Sequence, residues 1–157
     1  MKRLIKYSIY TIIALLILES AAAQNNNIEY DHKLATELGA DDYGMKSYVL
    51  VILKTGSNNT TDKKLLDSLF AGHMSNMTIL SEQGKLIVAG PFQKNRNNFR
   101  GLFILNTSDT TEARKMVRTD PAVNAGVLDA DLYPWYGSAA LPVYLETHKK
   151  IQKSAIK

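Results

Sequence analysis

The segment KSYVLVILK, Lys46–Lys54, sets six consecutive apolar residues, Tyr48–Leu53, between polar ends. A strand with one wet face would interrupt such a run at every second position. This strand must therefore be central in its sheet or covered on both faces, and the rest of the chain has to supply the cover.

The next segment supplies part of it. From Asp62 to Gln83, the residues Leu66, Leu69, Phe70, Met77 and Leu80 recur at three- and four-residue steps, which predicts a helix of about six turns with one buried face. Thr60 to Asp62 offers its cap and Gly84 its stop. KLIVAGPF, Lys85–Phe92, and RGLFILN, Arg100–Asn106, read as strands of a hairpin joined by the polar loop QKNRNN. Asp109 followed by Glu112 opens a short second helix, TTEARKMVRT, which ends ahead of Pro121. VLDADLYPWYG, Val127–Gly137, is a fourth strand in which Pro134 suits an edge or a strand end.

The order β-α-β-β-α-β is that of a ferredoxin-like α+β sandwich. Residues 24–45 form a lead-in with a short helix at Asp31–Leu38. Pro142 opens an added helix within residues 138–157, where Lys149, Lys150, Lys153 and Lys157 complement the helix dipole. With both helices of the sandwich on one face, the other face is bare, and strands as apolar as YVLVIL and GLFIL cannot leave it in water. A second copy is the expected cover, giving a homodimer wrapped by the lead-in and the C-terminal helix.

Residues 1–23 read as an export signal: Lys2, Arg3 and Lys6, an apolar run from Ile9 to Leu18, then Ala21-Ala22-Ala23. The run is too short for a membrane span, which needs roughly 20 residues. We therefore expect no stable membrane anchor, and a mature chain that starts at Gln24 in the periplasm or outside the cell. The signal's three basic residues and one acid, Glu19, would remove two of the formal charges of +4. The small remainder gives no case for nucleic-acid binding. The chain has no cysteine, which excludes disulfides, thiolate metal sites and thiol nucleophiles.

One residue in the long helix is out of place. At 100° per residue measured from Leu66, His73 lies at about −20°, between Leu80 at about −40° and Phe70 at about 40°, with Met77 at about 20°, in the middle of the stripe that faces the sheet. Burying an imidazole costs free energy unless both nitrogens find partners. Two readings are open: a core histidine bonded to a backbone carbonyl, or a histidine that lines a cavity and transfers protons. The second needs a carboxylate to orient the ring, and Asp120 in TDPAVNAG is the candidate, with a local turn or helix-cap role as its alternative.

HMSNMTILSEQGKLIVAGPF followed by RGLFILNTSDTTEARKMVRTDPAVNAGVLDADLYPWYG resembles the YCII-related domain family. The shared elements are a helix histidine, a Gly-Lys/Arg-Leu-x-x-x-Gly-Pro strand, and an Asp-Pro-x-x-x-Ala-Gly turn before a last strand ending in Pro-Trp. The resemblance covers about residues 46–137. It implies a ferredoxin-like domain paired into a dimeric α/β barrel, and a site made from a His-Asp pair, here His73 and Asp120. Many members carry an arginine one turn before the histidine, where this chain has Leu69 and Phe70.

Around the pair, Gly90 and Pro91 would let backbone approach a ligand or serve only as a turn. Arg100 would clamp a carboxylate or end its strand in solvent. Trp135 and Tyr136 would roof a pocket or pack in the core or a dimer seam. His32 and His148 belong to the added segments and read as surface residues, too scattered with His73 for a metal site. Phosphate loops, dinucleotide fingerprints and serine-nucleophile motifs are absent, so no cofactor is expected. Three functions stay open: a cofactor-free isomerase, lyase or hydrolase for a small molecule, with His73 as acid/base; a ligand-binding or sensing module using the same cleft; and an interaction protein in which His73 is core.

Overall fold

The computed structural model describes residues 29–154. The expected export signal, the first residues of the lead-in and the last three residues lie outside that range. The chain divides into a unit ending at His32 and one running from Lys33 to Lys157. In the described part of the first, the Tyr30 hydroxyl stands 3.3 Å from His32 Nδ1.

The second unit is built around β1 (Met45–Thr55). Helix α1 (His32–Leu38), whose first residue belongs to the first unit, precedes it in the chain, and α2 (Lys63–Glu82), β2 (Leu86–Pro91), β3 (Phe99–Leu105), α3 (Thr110–Arg118), α4 (Pro121–Asn124) and β4 (Leu128–Ser138) follow. A turn of 3-10 helix, Leu141–Val143, leads into α5 (Tyr144–Ile151). The strands are antiparallel in the order β2-β3-β1-β4, the ferredoxin-like order. β1 is central, as its apolar run requires, and β4 is an edge. Pro134, paired with Val49, therefore breaks no interior ladder.

Neighbouring residues of β1 point to opposite faces, yet Tyr48 and Val49 are both 0% exposed. On the Val49 face, Val51, Leu53, Phe103, Leu105 and Leu128 pack with Leu80, Met116 and Val117 of the helices. Each such side chain contributes about 1.5–3 kcal/mol of burial. Asp62 caps α2 by accepting from Lys64 N at 2.9 Å and Leu65 N at 3.2 Å, and Gly84 leaves the helix at φ +67°.

The Tyr48 face departs from expectation. Its buried centre, Tyr48, Ile87 and Ile104, is covered by the chain's own Leu141 and Leu145. The Tyr144 hydroxyl donates to Ile87 O at 2.6 Å and that of Tyr48 to Ser138 O at 2.8 Å. The C-terminal segment thus folds back onto the chain's own sheet. Further along the face, Leu50, Ile52 and Leu102 stay half-buried. A second departure concerns TDPAVNAG, which is a four-residue helix and not a plain turn: Pro121 occupies its first turn, where a missing N–H costs nothing.

Candidate functional site

α2 carries His73 on its sheet-facing stripe, against the β3 residue Phe103. The two rings stack with centroids 6.0 Å apart and planes 22° apart. Phe70, one turn earlier, meets the imidazole edge-on at 6.2 Å. These contacts fix the ring plane.

Behind the ring stands Asp120, whose Oδ2 lies 2.5 Å from His73 Nδ1. Its other oxygen, Oδ1, accepts from Ala122 N at 2.9 Å and Val123 N at 3.4 Å. Both roles considered for Asp120 therefore coexist: one oxygen caps α4 and the other meets the histidine. The side chain of Asp120 is 2% exposed and that of His73 12%. With Oδ1 engaged by two amide donors, the proton between the residues belongs on Nδ1.

In a neutral ring Nε2 is then the nitrogen that carries the lone pair. It has no hydrogen-bond partner among the described residues, and no buried side-chain nitrogen or oxygen there lacks one. Nε2 must therefore be solvent-accessible, and His73 lines a cavity of about 320 Å³ between α2 and the sheet.

Gly90, Pro91 and Arg100 line this cavity with His73, as do Met74 and Met77. Two glycines keep the wall thin, since a Cβ on Gly101 would come within 3.2 Å of Gly90 O. Asp120 does not line the cavity; it acts on it only through His73. Trp135 is elsewhere. Its position opposite Tyr48 in β4 puts it on the other face of the sheet, its ring 5.8 Å from that of Tyr48 and folded over Gly137. Tyr136 donates its hydroxyl to Asp41. His32 and His148 are exposed, and among the described residues no three histidine or carboxylate side chains gather as metal ligands.

Sequence reasoning missed Gly72. A Cβ there would lie 2.8 Å from Pro121 Cγ and 3.3 Å from Pro121 Cβ. The glycine before the histidine thus lets α4 come close enough for Asp120 to reach His73. Its signal was the small residue inside an otherwise good helix, a position that commonly has a packing reason.

The sequence model of the YCII-related domain matches residues 48–136, more than half of the chain. No curated protein matches. Among solved structures, one match is the 5-chloro-2-hydroxyhydroquinone dehydrochlorinase of Burkholderia phenoliruptrix AC1100 in complex with 2,5-dihydroxybenzoquinone. It is 18% identical over 55% of this chain and 92% of its own, with a TM-score of 0.40.

Proposed function

Because the chain belongs to the YCII-related domain family, we propose that it is a small-molecule enzyme in which His73 moves a proton and Asp120 holds the histidine in place. The observation that carries this reading is the asymmetry of the imidazole: Nδ1 is committed to a buried carboxylate while Nε2 is left open to the cavity. A histidine retained only for packing would have both nitrogens satisfied inside the protein.

The chemistry follows from that arrangement. Nε2 takes a proton from a bound substrate, and the Asp120 carboxylate stabilises the imidazolium that forms. Returned to another atom of the same molecule, the proton gives an isomerisation; retained while a leaving group departs, it gives an elimination. General acid–base catalysis of this kind contributes about 10²–10⁴-fold in rate. The runner-up is a binding module, favoured by the largely apolar wall, which would hold its ligand without moving a proton.

The test joins nitrogen-resolved NMR of the His73 ring to a screen of small organic acids and ketones in D₂O. The expected result is a neutral ring protonated on Nδ1, with substrates that take up deuterium in the presence of the wild type and not of His73→Ala. An Nδ1–H fraction that is the same in wild type and Asp120→Asn would sink the pair. Ligand-induced shifts without deuterium uptake would select the binding module.

Two further proposals concern assembly and address. Leu50, Ile52 and Leu102 form the strip where we place a second copy, which sedimentation of the purified chain checks. Residues 1–23 are proposed as a cleaved export signal, for which a mature terminus at Gln24 is the check. No described helix is long and apolar enough to cross a membrane.

A further inference from the structure

The cavity that the proposed function uses also carries a chemical preference. Of its lining side chains only those of His73 and Arg100 can form strong hydrogen bonds; the rest are aliphatic, aromatic, thioether, proline or glycine. No carboxylate, hydroxyl or amide side chain joins them. A sugar, a nucleotide or a diacid would leave most of its polar groups without partners there.

Arg100 is well placed to receive a charge. It borders both the cavity and a second groove of about 360 Å³ that continues outward along the β2–β3 loop, where Lys94 stands. Between Gln83 and Ser108 the chain has Lys85, Lys94, Arg96 and Arg100 and no Asp or Glu. Among the described residues none of these four forms an ion pair. An anion approaching along the hairpin meets only positive charge, which raises its local concentration. The planar guanidinium then offers a carboxylate two parallel hydrogen bonds.

Resting on the proton-transfer reading of the same site, we propose that the cavity takes a monocarboxylate with a compact apolar body, its carboxylate held by Arg100 and its reacting end toward His73 Nε2. The volume of about 320 Å³ is at the small end of ligand sites, roughly 300–1,000 Å³. It suits one ring or a short branched chain.

Benzoate and benzamide, nearly identical in shape and different in charge, are the probes. Titrated into the full mature protein by NMR, benzoate is expected to move the His73 ring and Gly101 amide signals, binding at least tenfold tighter than benzamide. Arg100→Gln should abolish that preference by weakening benzoate about 10- to 100-fold and leaving benzamide unchanged. Lys94→Gln should weaken benzoate less, and only at low salt. Equal affinity for the two probes, undiminished benzoate binding in Arg100→Gln, or no binding of either probe overturns the proposal. None of these three results touches the tautomer of His73, so the proton-transfer reading stands or falls separately.

Discussion

Pro121 sits so close to Gly72 that a Cβ on the glycine would lie 2.8 Å from the ring's Cγ. In an open helix interior, Gly→Ala stabilises by about 1 kcal/mol. Here the obstacle is a ring tied to backbone, so one helix must shift. Gly72→Ala is expected to destabilise by about 1–3 kcal/mol in urea titration, with loss of the Nδ1–H signature of His73. A more stable variant with that signature intact would show that the close approach does not hold the pair.

Asp120 separates its two duties under substitution. Asparagine caps helices as well as aspartate does, so Asp120→Asn should keep α4. Its amide, however, donates to Nδ1, and the ring proton should move to Nε2. Asp120→Ala loses cap and partner together and should cost about 1–3 kcal/mol. Nitrogen chemical shifts of His73 and denaturant midpoints read the two effects independently.

His73→Leu would improve packing if the histidine were only core filler. Instead it leaves Asp120 Oδ2, on a side chain 2% exposed, without its partner. The expected loss is roughly 1–3 kcal/mol, read as a lowered midpoint at unchanged denaturant slope. A stabilised variant would return the histidine to the core reading.

The hydrogen bond from Tyr136 to Asp41 ties β4 to the loop before β1 and is sensitive to pH. That bond, then the one from Met45 N–H and less so that from Tyr43 N–H, holds the Asp41 carboxyl below the usual carboxylate range against an opposing effect of burial. The same bond holds the Tyr136 hydroxyl above its usual range. The Asp41 contribution is thus present above about pH 4 and fades as pH falls through its lowered value. The Tyr136 contribution is present below about pH 10 and fades as pH rises through its raised value. Tyr136→Phe should flatten both ends of the Tm–pH profile relative to wild type.

A side-chain hydrogen bond ties α5 to the sheet. Tyr144 donates to Ile87 O at 2.6 Å, and burial pushes its hydroxyl above the ordinary range. Tyr144→Phe should loosen α5 by about 1 kcal/mol, read as faster amide exchange in residues 144–151 with the exchange of β1 unchanged.

The strands and α2 were legible because their periods are long enough to exclude alternatives. Six apolar residues in β1 and five stripe residues in α2 leave little choice. His73 stood out for the same reason, as the one polar residue inside a counted stripe. α4 was not legible, since four residues cannot display a helical period, and Gly72 acquires meaning only through Pro121, 49 positions away. The sequence leaves Trp135 open between a pocket roof and packing. Side-chain alternation from Ala130 onward puts it on the opposite face, and that requires the register of β4 against β1. The own-chain cover of Tyr48 was hidden because Leu141 and Leu145 show no pattern that distinguishes one protomer's sheet from another's.

The double engagement of Asp120 has a consequence for how the protein would fail on heating. The carboxylate that orients His73 is also the cap that starts α4, so fraying of those four residues and misorientation of the imidazole are one event. Such a short element opens at a free energy well below that of the core strands. The Nδ1–H signature of His73 should therefore fade reversibly at temperatures where circular dichroism still reports an intact fold, and the thermal range of the ordered site would be set by Pro121–Asn124 and not by the sheet.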